Sequence, residues 1–162
     1  MKKTSLFLSI IMCLALCSCQ SKDTASAVPK DYADIISTVQ SEDEAKSFEI
    51  VSDAQSELGT QILSMLNIES ADIDSFAVAC SFMNVNAYCV GIFKPTDKSE
   101  DIIKTALAEY IDLQKKSMEN YLPEQYDIAK SAIIKQVKSG EIIIVMCQNQ
   151  DKAAAAIEKA LK

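Results

Sequence analysis

Residues 132–147 read AIIKQVKSGEIIIVMC: two β-branched runs, Ala132 to Val137 and Glu141 to Cys147, on either side of Lys138-Ser139-Gly140. Branched side chains fit a pleated strand, and a glycine supplies the positive φ that a tight reversal needs. The stretch predicts a β-hairpin. Further back, Phe76, Val78, Cys80 and Phe82 alternate with small residues over residues 76–83, the period of a strand with one buried face. Residues 87–93 follow after a gap holding Asn84 and Asn86, so the two runs predict another hairpin.

Helical spacing fills the rest. Ile35, Ile36 and Val39 share one side after Asp31, predicting a short helix over residues 31–40, and the charged SEDEAK that follows reads as a loop. Leu58, Ile62, Leu63 and Leu66 make a second stripe over residues 56–66, with Asn67 placed for a left-handed stop. Asp97 and Glu100 have capping-box spacing ahead of the longest stripe, which runs from Ile103 through Leu107, Tyr110, Ile111 and Met118 to Tyr121, where Pro123 closes it. Asn149 or Asp151 caps a last helix lined by Ala153, Ala156, Ile157, Ala160 and Leu161. The predicted fold is α+β: a two-layer sandwich with an antiparallel four-stranded sheet in β-β-α-β-β-α order, helices on one face, preceded by two short helices. A pseudo-twofold axis could relate its two ββα halves.

The hairpin register can be counted. Cys80 and Cys89 are symmetric about Asn84-Val85, so a two-residue turn sets them opposite each other as a non-hydrogen-bonded pair, with Cα atoms about 4.5 to 5.5 Å apart. They are therefore read as facing thiols or a disulfide, with Cys147 unpaired.

The N-terminus carries an address. Met1-Lys2-Lys3 precedes an apolar run from Leu6 to Leu16, too short for the roughly 20 residues of a membrane span and matching a secretory signal peptide. Leu16-Cys17-Ser18-Cys19 resembles the lipobox of bacterial lipoproteins, which implies cleavage before Cys19 and lipidation, with acyl chains such as palmitate, at that residue. The chain divides into a signal peptide (1–18), a lipidated cysteine with a polar tether (19–30) and one domain (31–162). The expected place is the cell membrane, lipid-anchored on the extracytoplasmic face.

Composition excludes more than it names. Losing 18 of 162 residues leaves 144, and losing Lys2 and Lys3 takes the net charge from −7 to −9. With no arginine, the chain is a poor partner for nucleic acid, whose affinity rests on clustered cations. The absence of histidine removes the commonest general base, the Ser-His and Cys-His nucleophile pairs and most zinc sites. Gly59, Gly91 and Gly140 are too scattered for a phosphate-binding loop, so no catalytic residue, metal or cofactor is assigned.

Ser117-Met118-Glu119-Asn120-Tyr121-Leu122-Pro123-Glu124-Gln125-Tyr126, with SAIIKQVKSGEIIIVMCQNQ and the alanine-rich helix after it, resembles the family catalogued as domain of unknown function 4358, uncharacterised lipoproteins mostly of Gram-positive anaerobes. The likeness covers residues 31–162. Lys115 and Lys116 stand where the family often has an arginine, and Tyr88 or Cys89 where it often has a glutamate. Export permits disulfide oxidation, whereas the anaerobic hosts that the resemblance implies leave thiols reduced.

Two surfaces compete for attention. Tyr121, Pro123 and Tyr126 form a candidate recognition surface, although both tyrosines are expected to pack against the sheet. Asp72 with Asp74, and Asp97 with Glu100 and Asp101, lack the spacing of a calcium loop. The expected function is a non-catalytic binding or accessory module of the cell envelope. Its partners are the membrane through the lipid anchor and an envelope protein or wall component. The alternatives are a carboxylate-based enzyme acting on wall glycan or a structural or sensory subunit of a membrane complex.

Overall fold

The computed structural model describes residues 31–162. The predicted signal peptide, Cys19 and the tether lie outside the described residues. Four antiparallel strands, β1 (Ile73–Cys80), β2 (Cys89–Pro95), β3 (Ile133–Gln136) and β4 (Ile142–Met146), form one sheet in the order β1-β2-β4-β3. Both predicted hairpins are present, and Gly140 turns the second with φ +95° while Val137 N–H donates to the Glu141 carbonyl.

Six helices accompany the sheet: α1 (Tyr32–Ser37), α2 (Glu42–Ser47), α3 (Glu57–Met65), α4 (Glu100–Met118), α5 (Pro123–Lys130) and α6 (Gln150–Ala160). Asp31 starts α1 by accepting the Ala33 and Asp34 amides. The Ser56 hydroxyl caps α3, which ends as its sequence predicts: Asn67 takes φ 55° and the Ile68 amide reaches back to the Leu63 carbonyl. The charged SEDEAK stretch is not a loop. Ser41 and Glu44 close a reciprocal capping box that nucleates α2, with three acids in its first turn and Lys46 in its last.

The α4 region departs from expectation at both ends. Lys98 adopts φ 77° and swings Asp97 off the helix axis, so the Asp97–Glu100 box does not form. Buried Ser99 occupies the cap position and donates its hydroxyl to Asp72 (2.8 Å), tying the start of α4 to the segment before β1. At the other end α4 stops at Met118, and Pro123 opens α5. Proline suits a first helical turn, where its missing N–H costs nothing.

The expectation of helices on one face is corrected. Phe76, Val78, Phe93, Ile142 and Ile144 face a core closed by α3, α4 and α5, whereas Ala77, Val90, Ile92, Ile143 and Val145 face a second core closed by α1 and α6. The sheet is a middle layer. Every side chain of β4 is buried, so its IIIVM run is apolar at both parities, as in strands covered on both sides. The same result removes the pseudo-twofold. Because β2 and β4 run antiparallel, a twofold exchanging the hairpins must stand perpendicular to the sheet, and it would keep α4 and α6 on one face.

The sheet's two rims differ. Val51 pairs with Val78 through reciprocal backbone hydrogen bonds of 2.9 Å, capping the outer side of β1 at that one position. No strand among the described residues pairs with the outer side of β3. Since Val137 bonds inward to β4, alternation turns the backbone groups of Ile134 and Gln136 outward. At this end of the sheet Glu141 is buried beneath α1, whose Tyr32 hydroxyl donates to its carboxylate (3.0 Å). The described chain thus begins beside the β3–β4 turn, opposite the β1–β2 tip.

Candidate functional site

At the tip, β1 and β2 hold the register counted from the sequence: Cys80 opposes Cys89 with Cα atoms 4.1 Å apart, and the two are joined as a disulfide. Beyond them Ser81 N–H donates to the Tyr88 carbonyl, and Asn86 N–H donates to the Met83 carbonyl across Asn84-Val85. The two-residue turn is there, but regular strand stops at Cys80. Phe82, expected on the buried face, is therefore 50 % exposed, alongside Met83 at 58 % and Val85 at 53 %. The Ser81 hydroxyl bonds both the Met83 amide and its carbonyl, and Gln125 of α5 accepts the Ala87 N–H (2.8 Å). Three large apolar side chains are thus presented on a braced loop.

Behind this loop Phe48 stacks on Tyr88, ring centroids 4.2 Å apart. Two clefts border this stack, and a third shares Glu44 and Cys147 with the second. One of about 310 Å³ runs beside Phe82 and Met83 past Phe48 and Leu58. A second, of about 530 Å³, passes Tyr88 and Cys147 and carries Glu44, Glu124 and Asp127, and a third, of about 320 Å³, lies between the α1–α2 connection and the start of α6. Among the described residues no group of three or more histidine, cysteine or acidic side chains converges as a metal site. Asp72 is engaged by Ser99 instead. Cys147 is buried and free, and burial pushes its thiol pKa up, which suppresses thiolate reactivity. Burial also pushes the Tyr88 phenol up.

The three residues read as a recognition surface separate. Tyr121 is 84 % exposed at the corner between α4 and α5, contrary to the expectation that it packs on the sheet, because α4 ends before reaching it. Pro123 is exposed as the first residue of α5, while Tyr126 turns inward against the core with the Lys130 ammonium 5.9 Å from its ring centroid. The exposed tip residues Phe82, Met83 and Val85 were the missed signal. Their apolar side chains fall on both parities around Asn84, which no one-sided strand accommodates.

The family model described as Domain of unknown function (DUF4358) matches residues 47–148. The chain belongs to the DUF4358 family. The matched span begins just before Phe48 and ends just after Cys147, so it contains the whole sheet and the tip, and omits α1, α6 and all of α2 but Ser47. No curated protein and no solved structure matches the chain.

Proposed function

We propose that this DUF4358 protein is a lipoprotein anchored through Cys19 on the extracytoplasmic face of the membrane. Its domain acts there as a non-catalytic binding or accessory module of the cell envelope. One observation carries the binding role: Phe82, Met83 and Val85 stand exposed on a hydrogen-bonded loop at the opposite end of the sheet from the start of the domain. Large apolar side chains at a rigid tip contribute contact energy without much ordering cost. A tether joined at Asp31 leaves that tip pointing away from the anchor, toward an envelope protein. No helix among the described residues is long and apolar enough to cross a membrane.

The test places a photo-crosslinking amino acid at Met83, at Val85 or at Leu113, an exposed residue of α4, in intact cells. Discrete adducts from the two tip positions and none from Leu113 are expected. Absence of tip adducts, or identical adducts from all three positions, sinks the tip as a docking site. Separately, Cys19→Ser is expected to abolish acyl labelling and release the protein from the membrane fraction. Retained labelling would overturn the anchor and leave the tip result standing.

A further inference from the structure

Two of the clefts meet at Phe48, which lines both. On one side lies the groove of about 310 Å³, walled by Leu58, Phe82 and Met83, with Glu49 as its charged residue. On the other lies the larger cleft, where Ala87 and Ile128 are accompanied by Glu44, Glu124 and Asp127. No lysine lines either. The lysines nearest in sequence are engaged elsewhere, Lys46 with Asp43 (3.9 Å) and Lys130 over the Tyr126 ring.

The apolar and acidic halves are held together. Gln125, which accepts the Ala87 N–H, sits on α5 between Glu124 and Asp127, so one bond ties the acidic turn of the helix to the apolar loop. Glu44 is committed to the α2 capping box. The carboxylates of Glu49, Glu124 and Asp127 are exposed, and among the described residues they take part in no ion pair or side-chain hydrogen bond. Low-dielectric cleft walls focus such charges, and the net charge of −7 acts with the same sign at longer range.

Building on the tip as docking site, and standing only with that reading, we propose that its partner is a basic, apolar segment of an envelope protein. The segment's large apolar side chains pack on Phe82, Met83 and Val85 and into the groove, while its lysine or arginine side chains reach Glu49, Glu124 and Asp127. Charge decides between occupants. An anionic lipid surface could receive the apolar loop but meets the carboxylates as like charges, and like charges facing each other across an interface suppress a wrong partner. A second copy meeting tip to tip brings the same carboxylates.

The test reads the chemistry of what is captured. A photo-crosslinking amino acid is placed at Met83 or Val85 of the full chain in intact cells, the adducts are digested, and the linked peptide is sequenced by mass spectrometry. A peptide from another protein is expected, with lysine or arginine beside large apolar residues. Glu124→Gln combined with Asp127→Asn should cut the adduct yield about three- to tenfold, the worth of two exposed ion pairs, at an unchanged thermal midpoint. Glu109→Gln on α4, exposed and outside both clefts, should leave the yield as it is. A neutral or acidic linked peptide, or a double variant that crosslinks as well as wild type, overturns the proposal and leaves the docking role standing. Adducts to lipid, or to a second copy of this chain, overturn it by replacing the occupant. Absence of adducts from both tip positions removes the docking role and this partner with it.

Discussion

Gly91→Ala tests the packing at the centre of the sheet. Gly91 sits on β2 opposite Val78 of β1 and Ile144 of β4, two residues from Phe93 on the same face. A Cβ built there would lie 2.8 Å from Phe93 Cε2, 3.0 Å from Val78 Cγ2 and 3.2 Å from Ile144 Cγ2. None of the three can retreat cheaply. Val78 and Ile144 are branched, fully buried and held in paired strands, and the Phe93 ring packs parallel to Phe76 with centroids 6.0 Å apart. Overpacking of this kind costs about 1–3 kcal/mol. Alanine also restricts the unfolded chain, returning about 0.4–1 kcal/mol, so the net loss is about 1–2 kcal/mol. With a mid-range urea slope of about 2 kcal/mol per molar, the unfolding midpoint followed by circular dichroism should fall by about 0.5–1 M at unchanged slope. An unchanged or higher midpoint would show that the Phe93 ring does not occupy the space above Gly91.

Leu107→Ala in α4 and Ile157→Ala in α6 remove fully buried side chains from opposite faces of the sheet, and each should cost about 2–5 kcal/mol in urea titrations. A near-neutral result for either would contradict a sheet covered on both sides. At Glu141 burial pushes the carboxyl pKa up, but bonds from Ser139, its own backbone and Tyr32, with the Lys94 charge, outweigh it and hold the pKa below the usual carboxylate value. The folded value being depressed, this contribution to stability is present above the unfolded value of about 4.3 and is lost as pH falls through the folded one. Glu141→Gln should be less stable than wild type at neutral pH and lose less on acidification, and parallel acid titrations would refute this. Of Cys80, Cys89 and Cys147, only Cys147 should take up maleimide without prior reduction, and only after denaturation, because it is 6 % exposed in the fold. Rapid native labelling in a mass measurement would count against its burial.

Both hairpins, the Cys80–Cys89 register and the Asn67 stop are legible in the chain because each rests on local geometry: strand period, turn symmetry or a left-handed cap. The layer count is not, although its signal lies in the unbroken Ile142-Ile143-Ile144-Val145 run, which leaves no face for water. The end of α4 was obscured by Pro123, because proline closes one helix and opens another with equal ease. Asp97 and Glu100 have capping spacing, yet the Ser99–Asp72 bond spans 27 residues, and spacing along the chain carries no information about it. The clefts behind the tip escaped for the same reason. Tyr88, Phe48, Glu44 and Cys147 come from four separate segments.

The unequal rims of the sheet bear on crowding. Where identical molecules are concentrated, an unpaired strand is a template for polymerisation. The β1 rim is interrupted at Val78 by the molecule's own Val51, whereas no strand among the described residues interrupts the β3 rim. There the offer is poor. Only four residues long, β3 carries the exposed Lys135 at mid-strand, its ammonium held by Glu158 at 2.7 Å. A chain docking alongside would have to accommodate that ion pair, so β3 is a poor template for strand addition.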